Sequence, residues 1–154
     1  MPKTSKKKVN DIEAFTRQLQ AHGMKATAQR LAVHKVMMEL VHGSADMVYE
    51  RLSASGEVKI SRTSIYNILS DLADNGIYKR RLSANNKMYF DVNNFKHIHL
   101  YDSVNNEFRD VLDDELLEEV EARIKGRRFR GYKVDGVDLQ IICHPTGRKN
   151  TMLK

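Results

Sequence analysis

Five side chains in this sequence have the chemistry to hold a metal ion together: His42, Asp91, His97, His99 and Asp110. Three neutral imidazoles and two carboxylates make an N₃O₂ set whose two negative charges cancel a divalent cation. Such a set suits zinc, iron(II) or manganese(II), not purely hard ions or ions that demand thiolates. His97 and His99 stand two residues apart, so on a strand their side chains share one face. With Asn105-Asn106 as a two-residue turn, Asp110 falls opposite Tyr101 and diagonal to His99, again on the histidine face. Spacing alone also admits a plainer reading, because an H-x-H pair is commonly an exposed strand pair. Two histidines and a carboxylate with open positions could activate oxygen in a small metalloenzyme. No nucleophile or general base accompanies them, however, and the expectation is a protein that is not an enzyme.

The elements that must position these residues follow from periodicity and capping. Val9–His22 carries Ile12, Phe15 and Leu19 at helical spacing and stops at Gly23. Thr27 can cap a second helix bearing Leu31, Val33, Val36, Met37 and Leu40, with Met37 and Met38 as adaptable core filler. His42-Gly43 precedes Ser44, which caps a third helix with Met47, Val48 and Leu52 inward. Val58-Lys59-Ile60 has the composition of a short strand. Ser61 opens a fourth helix with Ile65, Ile68, Leu69 and Leu72 on one side and Gly76 past its end. Ile77–Leu82 and Lys87–Asp91 then flank Ser83-Ala84-Asn85-Asn86 as a hairpin.

Short helices ending in a hairpin describe a winged helix-turn-helix, whose last helix enters the major groove while the hairpin meets the backbone. Arg62, Thr63, Ser64, Tyr66 and Asn67 crowd the N-terminal half of the fourth helix, and all can hydrogen-bond to bases or phosphates. Arg80 and Arg81 begin the wing, placed for phosphate contact, and Lys25 joins the expected DNA-binding set. Beyond Phe95, His97–Val104 and Glu107–Leu112 alternate as strands, and Asp113-Asp114-Glu115 begins a helix where the macrodipole favours acids. Leu116, Leu117, Val120 and Ile124 form that helix's inward stripe, ended by Gly126. Tyr132–Cys143 supplies a last strand region whose apolar end, Leu139-Gln140-Ile141-Ile142, is expected to be buried. A ββαβ unit this small has little core of its own, so pairing with a second copy is the economical arrangement.

The fold expected is therefore α+β: a winged-helix domain over residues 1–91 with a basic N-terminal arm, a hinge at 92–96, a dimerisation domain at 97–145 and a loose tail at 146–154. Charge divides along the same line. Residues 1–95 carry 15 Lys and Arg against 9 Asp and Glu, whereas residues 96–154 carry 11 of each. The whole surplus of the +6 chain thus lies in the front half, where double-stranded DNA would be met. Cys143 is the single cysteine among 154 residues, which excludes intrachain disulfides and favours a reducing compartment, the cytoplasm. No run approaches the roughly 20 apolar residues that would cross a bilayer. No apolar stretch follows the basic residues Lys3 to Lys8 to make a secretory signal.

Three stretches carry a family resemblance: Gly23-Met24-Lys25-Ala26-Thr27-Ala28-Gln29-Arg30-Leu31, Ser44-Ala45-Asp46-Met47-Val48-Tyr49 and Ser61-Arg62-Thr63-Ser64-Ile65-Tyr66-Asn67-Ile68-Leu69. With Tyr89-Phe90-Asp91 and His97-Ile98-His99-Leu100, this ordered set over roughly residues 12–144 resembles the ferric-uptake-regulator family. The resemblance implies a cytoplasmic homodimer that binds palindromic operators as a metal-dependent repressor of metal-uptake or oxidative-stress genes. It also implies one divalent metal per subunit at an inter-domain site, whose ligands fall on His42, Asp91, His97, His99 and Asp110. Aspartate at both acid positions is similar to the peroxide-sensing branch, where bound iron(II) reacts with peroxide and the histidines matching His42 and His97 become oxidised. Departures are equally specific. The two C-x-x-C pairs that hold a structural zinc in many members are missing, Tyr101-Asp102-Ser103-Val104 standing after Leu100, so no Cys₄ zinc is expected. Lys96, Ile98 and Val137 occupy positions where a further metal site would need ligands. Thr27-Ala28 replaces Thr-Pro, and Asn67 replaces an arginine common after the recognition-helix tyrosine. A haem-responsive branch also lacks the C-x-x-C pairs, but Cys143-His144-Pro145 is not its Cys-Pro dipeptide.

Overall fold

A computed structural model describes residues 12–92 and 97–147 of the chain. The chain divides into two compact units, residues 1–94 and 95–154. The expected basic arm, residues 93–96 of the expected hinge, and the tail from residue 148 lie outside the described residues.

The first unit contains α1 (Ile12–Ala21), α2 (Ala28–Leu40), β1 (His42–Gly43), α3 (Ala45–Ser55), α4 (Arg62–Asp74), β2 (Lys79–Leu82) and β3 (Met88–Asp91). Thr27, Ser44 and Ser61 cap α2, α3 and α4, each side chain accepting the N–H three residues on, from Arg30, Met47 and Ser64. Each cap satisfies an amide the helix cannot and contributes about 1 kcal/mol. Gly76, at φ +76°, takes the left-handed turn that releases the chain from α4 toward the wing. Phe15, Leu19, Val33, Met37, Leu69 and Leu72 meet in the core, joined by Phe90 from the wing. His34 is buried among them, stacked on Phe15 at 3.8 Å with its Nδ1 2.6 Å from the Tyr78 hydroxyl. Burial pushes the Tyr78 hydroxyl well above its ordinary range.

The strand expected at Val58–Ile60 is not formed. Those residues link α3 to α4, and their apolar side chains fill the core, Ile60 buried and Val58 packed against it. The third strand is instead the two-residue β1, which pairs antiparallel with β3 in a sheet of order β1-β3-β2. Gly43 makes that short strand possible, since a Cβ there would lie 2.9 Å from both Leu40 Cδ1 and Met37 Sδ.

In the second unit, β4 (Ile98–Asp102), β5 (Glu107–Val111), α5 (Asp114–Lys125) and β6 (Gln140–Cys143) make the ββαβ pattern. The sheet order is β5-β4-β6, with β6 parallel to β4. The β4–β5 turn is longer than the two residues expected: Asp102 pairs with Glu107, and residues 103–106 lie between. Asp102 stops the strand early by accepting the N–H groups of Val104 and Asn105 at 2.9 and 3.0 Å. Two expectations about burial also fail. Leu117 is the buried member of the α5 stripe, while Leu116 is exposed. The apolar end of β6 is likewise uncovered, Ile141 and Ile142 being 42% and 60% exposed. Among the described residues no helix is long and apolar enough to cross a membrane.

Candidate metal centre

The sheet of the second unit gathers three of the expected ligands. His99 stands directly opposite Asp110 in the β4–β5 register, not diagonal to it, and His97 precedes it by two residues. The longer turn displaces Asp110 from Tyr101 by two positions, which preserves the face while moving the carboxylate two pairs along the ladder, opposite His99. His97, His99, Tyr101, Phe108 and Asp110 therefore share one side of the sheet. The imidazoles of His97 and His99 lie 4.1 Å apart between ring centres, and Phe108 meets His99 edge-on at 5.9 Å. His97 Nε2 is 2.9 Å from Asp110 Oδ1. One donor atom from each of His97, His99 and Asp110 lies within 4.8 Å of the others. Both histidines are buried and Asp110 is partly so. Two imidazoles and a carboxylate this close, shielded from bulk water, fit a borderline divalent metal.

The remaining two expected ligands belong to the first unit. His42 pairs with Asp91 across β1 and β3, so both side chains leave the same face of that sheet. His42 Nδ1 is 3.5 Å from Asp91 Oδ2, and both side chains are buried. The backbone delivers His42 from a corner, Val41 holding φ 66° and ψ −50°. A β-branched residue takes such a conformation at a cost of about 1–3 kcal/mol, and such strain concentrates at functional sites.

Arg81 corrects one expectation. Phosphate contact needs an exposed side chain, but Arg81 is 7% exposed, with its Nε 4.0 Å from Asp91 Oδ2. Register explains the turn inward: Asp91 faces Lys79 on β2, and Arg81, two residues on, shares that face. Nothing in the alternation of this stretch distinguishes a buried arginine from its exposed neighbour Arg80, so sequence reasoning missed the pairing.

The expected DNA-facing residues lie on the outside of the first unit. Arg62, Thr63, Tyr66 and Asn67 are exposed on α4, and Ser64 is partly exposed beside the cap, its hydroxyl accepting from Ser61 at 3.1 Å. The Arg62 guanidinium lies 4.3 Å over the Tyr49 ring, with Nε 3.5 Å from Asp46. Tyr66 packs edge-on against Phe90 at 6.1 Å while nearly half its surface stays exposed. Arg80 is exposed and held to α4 by Asp74 at 2.8 Å. Lys25 is exposed between α1 and α2, its carbonyl accepting from Arg30 at 2.8 Å.

A capped helix with a polar outer face, a short hairpin beside it and a histidine-carboxylate sheet beyond are the parts of one known architecture. The family described as "Ferric uptake regulator family" matches residues 21–142. The chain belongs to the ferric uptake regulator family. Members are metal-responsive transcription regulators that bind metal and DNA. The ferric uptake regulator of Vibrio cholerae is similar in structure, with a TM-score of 0.68 at 24% identity, covering 84% of this chain and 98% of that one. The Helicobacter pylori ferric uptake regulator, described as having three functional metal-binding sites, gives 0.69 at 15% identity, covering 92% and 93%. The Campylobacter jejuni peroxide stress regulator gives 0.62 at 24% identity, covering 84% and 95%. At these identities the structures establish a shared fold. No curated protein matches the sequence.

Proposed function

We propose that this chain is a homodimeric, cytoplasmic repressor that binds a palindromic DNA operator when one divalent transition metal occupies each subunit. The observation that carries the reading is the convergence of His97, His99 and Asp110 on one sheet face, donor atoms within 4.8 Å, in a chain whose other unit is a winged helix. Zinc, iron(II) and manganese(II) all suit the donors. The bound ion would supply a multivalent positive charge that holds several donors in one fixed geometry.

In this reading His42 and Asp91 of the first unit complete the set begun by His97, His99 and Asp110. Drawing both units to one ion fixes their mutual angle, and in a twofold dimer that angle sets the separation of the two α4 helices. Operator spacing then couples to occupancy, provided the DNA-competent geometry holds the ion more tightly than the alternatives. Arg62, Thr63, Ser64, Tyr66 and Asn67 read and position DNA from α4, with Lys25 and Arg80 on phosphates. The chain's own protons enter the balance. His97 Nε2 lies 2.9 Å from Asp110 Oδ1, and an imidazole nitrogen must be free of its proton to ligate, so metal affinity falls on acidification. No residue is assigned a catalytic role. The genes controlled are those of metal uptake or oxidative stress.

Operator binding measured by fluorescence anisotropy, with saturating metal and with chelator, tests the reading. His97→Ala and Asp110→Ala are expected to weaken binding by about tenfold or more while leaving the first unit folded, since couplings of this kind run to roughly 1–3 kcal/mol. Undiminished operator affinity in both variants at saturating metal would sink the mechanism.

A further inference from the structure

Arg62 stands apart from its neighbours on the outer face of α4 in the way its side chain is held. It is the first residue of the helix, directly after the Ser61 cap, and its side chain is 59% exposed. The guanidinium carbon lies 4.3 Å over the ring of Tyr49, and Nε is 3.5 Å from Asp46 Oδ1. Both partners come from α3, Asp46 from its first turn and Tyr49 three residues on, partly buried against the core. Asp46 is itself 77% exposed, and an ion pair between two exposed side chains contributes little, so the ring is what fixes the guanidinium. Tyr49 covers one flat face, and the nearest approach of Asp46 is to Nε, beside the stem. The terminal pair, Nη1 and Nη2, is left for a ligand.

An arginine that meets only phosphate needs no such support, because a phosphate contact fixes register and tolerates many approaches. Base reading is more demanding: the planar fork must lie in the plane of a guanine and meet O6 and N7 together. The first residues of a recognition helix are the ones that reach base edges. Tyr66, four residues on and on the same face, is braced in a similar manner, edge-on against Phe90 at 6.1 Å.

We propose that Arg62 is the specificity-determining residue of α4, reading one guanine in each operator half-site through Nη1 and Nη2, and that Tyr49 is its positioning residue. The inference rests on the DNA binding proposed above and names the base that α4 selects. The ring acts before DNA arrives. Holding the guanidinium over Tyr49 removes rotamers that would otherwise be lost on binding, so that loss no longer opposes recognition. Stacking is suited to this task because it occupies the face and spares the in-plane N–H donors.

Full-length protein in saturating manganese(II), mixed with a pool of duplexes carrying a randomised stretch, tests this through sequencing of the retained DNA. Fluorescence anisotropy on the enriched duplex and its single-base-pair variants, at several salt concentrations, then gives the preference at each position. The wild type is expected to enrich a guanine at one symmetric position of each half-site. Arg62→Lys keeps the charge and loses the planar fork. It should lower the preference for that guanine by about tenfold or more, with the other positions and the salt dependence unchanged. Tyr49→Leu should lower the same preference by about threefold, and Tyr49→Phe, which keeps a ring, should retain it. An undiminished preference in Arg62→Lys overturns the inference, and so does an even loss at all positions, the mark of a phosphate contact. A Tyr49→Leu profile equal to wild type, or weakened evenly through lost packing of α3, overturns the role given to Tyr49. If Tyr49→Leu does not fold, the comparison of Arg62→Lys with wild type still decides the base reading. A wild type that enriches no sequence would defeat the proposed function, whereas a motif that Arg62→Lys keeps defeats this inference alone.

Discussion

In the first unit, helices and wing close over one another until Phe15, Leu19, Val33, Met37, Ile65, Leu69, Leu72 and Phe90 have no exposed surface. In the second, α5 buries Leu117 while Leu116 and, on β6, Ile141 and Ile142 remain 39%, 42% and 60% exposed. Apolar periodicity is present in both, so the contrast is not one of sequence pattern. A three-stranded sheet with one helix has too little volume to enclose its own stripe, and four helices around a small wing do not share that problem. The second unit presents half of a core, and a second copy of the same surface is the partner that symmetry supplies most simply. The unit with the finished core is free to keep a polar outer helix, and the unit with the unfinished one carries the face where His97, His99 and Asp110 meet.

The strongest attack on this contrast is a matched pair of truncations. Leu69→Ala should cost about 3 kcal/mol or more in the first unit, because the site is enclosed on every side and cannot collapse around the loss. Leu117→Ala should cost roughly 2 kcal/mol, at the low end for a buried leucine, because its neighbours Leu116 and Val120 leave it room to collapse into. Urea unfolding, followed by probes in each unit, separates the two, and equal costs would erase the distinction between a closed and a half-built core.

Much of this arrangement was legible in the chain. Hydroxyls at Thr27, Ser44 and Ser61 marked three helix starts because a cap is a local transaction between a side chain and an amide three residues away. The shared face of His97, His99 and Asp110 was legible because strand alternation survives a turn that lengthens by two residues. What failed was whatever depended on a distant partner. Val58–Ile60 has strand composition, but the edge of β3 was taken by His42 and Gly43. Ile141 and Ile142 look like core residues because they are apolar, and only the sheet order shows β6 at an edge. Arg81 reads as a surface arginine until the register sets it beside Asp91. Of the site, sequence supplied the residue types and their faces; which charges meet is decided by register.

A second prediction sharpens the contrast from the other side. Ile142→Asp places a charge on an apolar surface that is already exposed in one copy, so it should leave the unfolding of the first unit unchanged. If β6 lies in the interface between copies, the same charge is desolvated there, at a cost of several kcal/mol, and the dimer should dissociate. Sedimentation velocity at micromolar protein reads this directly. A variant that stays dimeric would place the interface elsewhere and leave the exposed isoleucines unexplained.

The smallest effect expected concerns the two hairpin turns, which the units close by the same device in different chemistry. In the wing, buried Ser83 accepts the N–H groups of Asn85 and Lys87 at 3.2 and 3.1 Å through a neutral hydroxyl. Between β4 and β5 the acceptor is the Asp102 carboxylate, whose pKa is lowered chiefly by the backbone hydrogen bond from Asn105. A folded-state value below the ordinary one means that the turn is stabilised while the carboxylate is ionised. That contribution is present above the unfolded value and is lost as pH falls through the lower, folded one. Acidification from roughly pH 5 to pH 2 should therefore shift the amide resonances of Val104 and Asn105, with a midpoint below the usual carboxylate range, while those of Asn85 and Lys87 stay flat. Asp102→Asn should abolish the response, because the amide oxygen still accepts but no longer titrates. A titration that moves both turns together would mean that acid acts on the whole fold and not on this carboxylate.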